Sequence, residues 1–247
     1  VLGEFGGLGL PVQDHTWTDK SWGYRGVADQ KALTRKYVDL WRKVWALKDS
    51  DGLCAAVYTQ TTDCETECNG LLTYDRKVFK VDVKEASDAA MGVFAPLPEY
   101  VPVVPTAAKE PVKWRYTTEK PADGWFKPEF NDSSWKEGDA GFGLGNVGKG
   151  EKRTEWKGPD IWIRRQFTIP EKKLNKPMLL AHHDEDTEIY VNGVLAGTAQ
   201  GYTVDYEQLD LTAEGEAALK PGANTMAVHC RQTMGGQYID VGIVEQK

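Results

Sequence analysis

The chain has 247 residues, 40% hydrophobic and 11% aromatic with nine tryptophans, enough apolar surface for one large core or two smaller ones. A formal net charge of −7 argues against a nucleic-acid partner, because phosphate binding needs a basic face. No apolar run reaches membrane-spanning length, and no signal peptide is visible in a sequence that does not start with Met.

The first predicted element is a short strand over residues 1–5 that hands Glu4 to Gly6-Gly7. A barrel strand delivers a catalytic carboxylate to its loop in this way. The alternative for Glu4 is a solvated charge. Residues 6–27 follow as a long irregular stretch with Asp14, His15, Trp17, Trp22, Tyr24 and Arg25. Loops of this length are uncommon unless functional, so it is either the rim of a ligand site or a surface loop pinned by its tryptophans. Over 29–48, Leu33, Tyr37, Leu40, Trp41, Val44 and Leu47 recur at helical spacing, and Asp51-Gly52 ends the pattern. The apolar run 53–59 is a predicted buried strand. Strand, helix and strand in that order make a βαβ unit with parallel pairing. A short helix is expected over 82–91.

Residues 96–111 carry five prolines and are expected to be an extended, stiff linker. Beyond them the pattern changes to short strands broken by turns. Strands are predicted at 113–116, 160–167, 178–181, 187–191, 224–229 and 238–244, with a hairpin turn at Asn192-Gly193 and one or two helical turns within 212–219. This is the pattern of an antiparallel β-sandwich.

Several local motifs have ordinary explanations. The glycines of 143–149 fit a phosphate-binding spacing on paper, but no predicted helix follows to offer its N-terminus. His182-His183-Asp184-Glu185-Asp186 reads as a charged turn at a strand entrance rather than a metal site. Cys64 and Cys68 lack a second pair of matching spacing, so free thiols are expected for all four cysteines, and cysteine usage does not fix the compartment. No Ser/His/Asp arrangement is legible. Neither a metal nor a cofactor is expected.

The stretches Gly3-Glu4-Phe5-Gly6-Gly7, His15-Thr16-Trp17, Trp22-Gly23-Tyr24-Arg25, 56–63 with Glu65 and Glu67, and 69–76 resemble, in order and spacing, the end of a glycoside hydrolase family 2 catalytic domain. This is the family of β-galactosidases, β-glucuronidases and β-mannosidases. The resemblance implies a TIM barrel in which 1–5 is the seventh strand, 29–48 the seventh helix and 53–59 the eighth strand. It implies that Glu4 is the nucleophile of a retaining mechanism. Tyr58 would be an aromatic platform beneath the sugar, and His15 and Trp17 would belong to the loop over the site. It also implies a bacterial periplasmic or secreted setting by analogy. The chain departs from the family in having no Asn-Glu pair for the acid/base. It is therefore expected to be cut through a barrel, with six strands and the acid/base lying upstream, and to be inactive alone.

Residues 112–247 resemble galactose-binding-like jelly-roll modules, through Gly124-Trp125, 130–135, 160–165 and Glu188-Ile189-Tyr190-Val191-Asn192-Gly193. The resemblance implies that Trp135 and Trp162 pack the core. Trp125, Trp156 and Tyr202 are candidates for stacking on a sugar, with core packing as the alternative for each. The expected fold class is α/β plus all-β. The C-terminal part of a (β/α)8 barrel spans 1–95, a Pro-rich linker 96–111 and a galactose-binding-like jelly-roll β-sandwich 112–247. The expected function is part of a retaining glycosidase, with a carbohydrate and the rest of the barrel as partners. A non-catalytic carbohydrate-binding or scaffold module is the alternative.

Overall fold

A computed structural model describes residues 1–145 and 147–247, and the chain divides into two units, Val1–Leu97 and Pro98–Lys247. In the first unit, β1 (Leu2–Gly6), β2 (Leu8–Gly9) and β3 (Arg25–Gly26) precede α1 (Gln30–Asp51), β4 (Ala56–Thr59) and α2 (Val83–Ala90). β1 pairs with β4 in parallel across α1, forming the expected βαβ unit. Asp29 caps α1 by accepting the Ala32 N–H, and Gly52 closes it with left-handed backbone at φ 67°. Leu33, Tyr37 and Val44 are buried as the helical spacing requires, but Leu47, one turn further on, is exposed. Leu8, Leu33, Tyr37, Val81, Ala86 and Ala89 form the core, with Trp41 and Tyr58 packed against it. β4 is shorter than the apolar run predicted for it, and its Val57 is 53% exposed, so it is not the buried strand expected.

The second unit is almost all β. Its strands are β5 (Tyr100–Val104), β6 (Lys113–Thr117), β7 (Lys136–Asp139), β8 (Phe142–Leu144), β9 (Thr154–Glu155) and β10 (Asp160–Ile169). They continue with β11 (Met178–Asp184), β12 (Asp186–Val191), β13 (Val194–Ala199) and β14 (Glu207–Asp210). After the short helix α3 (Ala213–Ala218) come β15 (Gly222–Arg231) and β16 (Gln237–Gln246). One sheet has the order β13-β12-β15-β10-β6-β7, and the other β14-β11-β16-β8-β9 with β5 also on β16. Ile161, Ile163, Ile189, Val191, Val228 and Cys230 from the first sheet meet Leu179, Ala181, Ile239, Val241 and Ile243 from the second in one core. The unit is a β-sandwich. Asn192 and Gly193, at φ 49° and 85°, form the turn joining β12 to β13, where both central residues need positive φ.

Two expectations need correction. Part of the proposed linker is built into the sandwich: β5 pairs antiparallel with β16, and Val104 and Ala107 are buried in the core. An extended proline-rich run suits an edge position, because Pro102 has no N–H to donate and, among the described residues, β5 has no second strand neighbour that needs one. The core tryptophans are Trp114 and Trp156. Trp162 lies on the outer face of its sheet, its ring stacked on His229 at 4.7 Å, and half-buried Trp135 packs on Phe130. Side chains alternate along a strand, so Ile161 and Ile163 turn inward and Trp162 turns outward.

Candidate functional site

Glu4 lies on β1, exposed, where the register with β4 slips. Leu2 pairs with Ala56 and Phe5 with Tyr58, so β1 carries one extra residue in the Gly3-Glu4 interval. Such a bulge re-aims side chains locally and is common beside active sites. Phe5 packs edge-on against Trp41 of α1 and against Tyr58 of β4. Gly6 then turns the chain at φ 119°, and a Cβ there would come within 2.6 Å of the Tyr58 ring. The Glu-Phe-Gly-Gly run therefore has a physical reason: an aromatic anchors the strand and glycines make the turn after the carboxylate.

Tyr58 is not an open platform. Its ring lies 4.7 Å from Tyr37 and 5.4 Å from Phe5, and its hydroxyl is buried with no hydrogen-bond partner among the described residues. Burial pushes its hydroxyl pKa up. As placed, Tyr58 is a packing residue that braces β1.

His15 and Trp17 each meet a residue of the turn at 74–75. His15 Nδ1–H donates to Asp75 Oδ2 at 2.9 Å, and the Trp17 ring meets Tyr74 at 4.8 Å. Asp75 is itself held by the Thr73 hydroxyl at 2.7 Å and by the Lys77 N–H at 3.2 Å. The hydrogen bond from His15, followed by that from Thr73, holds the Asp75 carboxyl well below the usual carboxylate range. The Trp17 ring remains 52% exposed. Asp75 and Tyr74 were legible only as parts of the 69–76 stretch; nothing in their spacing marked them as partners of residues some 60 positions earlier. Beneath this loop, buried Lys80 donates to Asp63 Oδ1 at 2.6 Å and to the carbonyls of Leu10 and Cys68. The same Asp63 oxygen accepts the Gly70 N–H.

The sandwich candidates do not converge. Trp156 is 0% exposed in the core, and its Nε1–H donates to the Asp160 carbonyl, so it cannot stack on a ligand. Trp125 packs on the outer face of the first sheet against Phe126, Tyr190 and His229. Buried Arg164 anchors the segment around it, donating to Asp132 and to the Trp125 and Lys127 carbonyls. Tyr202 is 58% exposed and pairs with Asp184, at the end of β11 in the other sheet.

Other motifs take ordinary roles. Asn146, in the glycine run 143–149, lies outside the described residues; after it the chain enters β9 with no intervening helix among those described. Among the described residues no group of three metal-ligating side chains comes together. In the 182–186 segment, His182 Nε2–H donates to the Thr203 carbonyl and His183 Nδ1–H to the Glu185 carbonyl. All four cysteines are free.

No family model matches the chain. It is similar to an alpha-L-rhamnosidase of Streptomyces avermitilis, 31% identical over 126 residues, covering 47% of this chain and 12% of that protein. Among solved structures it is similar to Bacteroides uniformis beta-glucuronidase 2 covalently bound to cyclophellitol-6-carboxylate aziridine. That likeness has 20% identity and a TM-score of 0.42, and covers 60% of this chain and 18% of that one. It is also similar to a glycosyl hydrolase family 2 member from Bacteroides cellulosilyticus, with 19% identity, a TM-score of 0.39 and coverage of 53% and 20%. The chain thus spans 12% of the rhamnosidase and about a fifth of these structures.

Proposed function

We propose that the chain is part of a retaining glycoside hydrolase, with Glu4 as its nucleophile. One observation carries this: a Gly-Glu-Phe-Gly-Gly run whose carboxylate is exposed at a bulge near the end of the first strand of a parallel βαβ unit. Barrel enzymes carry catalytic groups at that end of a strand. The similarity to an alpha-L-rhamnosidase supports a carbohydrate-acting hydrolase more generally. On this reading the first unit is the C-terminal part of a (β/α)8 barrel and the second a galactose-binding-like jelly-roll accessory.

The chemistry runs in two halves. A Glu4 carboxylate oxygen attacks the anomeric carbon as the glycosidic C–O bond breaks, and a second carboxylic acid protonates the departing oxygen. Water then cleaves the glycosyl ester, giving up a proton to that second carboxylate. In retaining enzymes the two groups lie about 5–5.5 Å apart. The acid/base is assigned to residues outside this chain, so the 247 residues alone are expected to be inactive. His15, oriented by Asp75, and Trp17, braced by Tyr74, form the rim that meets the sugar.

Glu4→Ala in the full-length enzyme tests the assignment. It should lower turnover by about 10⁴-fold or more. Azide, standing in for the lost nucleophile, should restore turnover and yield a glycosyl azide of inverted configuration. Unchanged turnover would overturn it. A second reading, a non-catalytic carbohydrate-binding module, is favoured by the exposed ring of Tyr202 beside the Asp184 strand end.

A further inference from the structure

We propose that the sandwich binds one neutral sugar ring in a cleft on the outer face of its second sheet, with Tyr202 as stacking surface and Asp184 as hydroxyl acceptor. The inference deepens the carbohydrate-binding reading of the sandwich and is independent of Glu4. The cleft has a volume of about 270 Å³ and is lined by Val147, Gly148, His182, Asp184 and 202–204, closed by Gly236 and Tyr238. Ligand pockets generally run from about 300 to 1,000 Å³, so this one suits a single ring rather than a chain.

Strand alternation builds it. Leu179 and Ala181 of β11 face the core, which turns His182 and Asp184 outward, opposite Asp240 and Tyr238 of β16. Gly148 and Gly236 border the cleft without side chains to fill it.

Three features point to a polar, uncharged guest. The Tyr202 ring is 58% exposed and offers an apolar face. Asp184 is half-buried and its carboxylate meets no hydrogen-bond donor or cation among the described residues. Burial, with the neighbouring charge of Glu185, pushes its carboxyl up to about 6, as expected for a carboxylate that nothing nearby stabilises. His182 is 1% exposed; its Nε2–H is engaged by the Thr203 carbonyl, which leaves Nδ1 a buried acceptor without a partner among the described residues. A sugar hydroxyl can donate to Asp184 while the ring's C–H face lies on Tyr202. Anions are disfavoured, because Asp184 faces the site and the nearby Lys149 ammonium is neutralised by Asp205 at 3.0 Å.

The test is a ¹H–¹⁵N NMR titration of the intact chain with methyl β-D-glucopyranoside, methyl β-D-galactopyranoside, methyl α-L-rhamnopyranoside and glucuronate. At least one neutral glycoside should shift the amides of Gly148, Thr203, Val204 and Gly236, and glucuronate should not. Tyr202→Ala and Asp184→Asn, each with an otherwise unchanged spectrum, should weaken binding about fivefold and about tenfold. Shifts elsewhere that neither substitution affects would overturn the cleft while leaving the sandwich a carbohydrate binder. No shift with any sugar would overturn both.

Discussion

His15 and Asp75 form a contact between stretches 60 positions apart in the chain. Asp75 accepts from His15 and Thr73 while remaining near solvent, so its carboxyl is stabilised in the charged form. A depressed carboxyl contributes stability above its unfolded value, near 3.9, and loses it as pH falls through the lower folded value. A ¹³C titration of the Asp75 carboxyl should therefore have its midpoint well below the ordinary range. His15→Gln should move the midpoint upward, toward the ordinary value. An Asp75 midpoint that is ordinary in the unsubstituted chain would mean that His15 is not held there. Neither partner is marked by local spacing, because the contact crosses 60 residues of chain, and only the resemblance drew the two stretches together.

At the scale of elements, the irregular segment between β1 and α1 is tied at Leu10 to the buried Lys80–Asp63 pair. Lys80 joins Asp63 to the Leu10 and Cys68 carbonyls, linking three separated stretches through one ammonium. Lys80→Met should cost about 3–5 kcal/mol in urea unfolding, because Asp63 is left charged, buried and unpaired. The double variant Asp63→Asn/Lys80→Met should recover much of that loss, and a single variant as stable as the parent would contradict this account. Elements with strong local signals were legible in the sequence. Helix α1 carries its apolar stripe and its Gly52 stop, and the β12–β13 hairpin carries Asn192-Gly193; the Asp29 cap emerged only with the fold. Strand β5 was not legible, since the five prolines of 96–111 read as linker and its partner β16 lies some 140 residues away. Nor could periodicity assign the tryptophans. Trp162 shares its strand face with Asp160, Arg164, Gln166 and Thr168, and that the Trp125 segment rather than the opposite sheet covers that face is a tertiary fact.

At the scale of the whole molecule, two units of different construction follow one another: a βαβ unit that presents Glu4 at a bulge, and a sandwich with a polar cleft on one outer face. The carboxylate was readable from its glycine-rich setting, whereas the bulge that exposes it, and the aromatic wall of Phe5, Tyr58 and Trp41 behind it, required the fold. The central claim is that Glu4 becomes covalently bonded to a sugar. Incubating the full-length enzyme with a panel of 2-deoxy-2-fluoroglycosyl fluorides and mapping the adduct by peptide mass spectrometry tests it directly. The account predicts one glycosyl group per chain, on the peptide containing Glu4 and attached to that side chain. Turnover-linked labelling of a different carboxylate, with Glu4 unmodified, would contradict it.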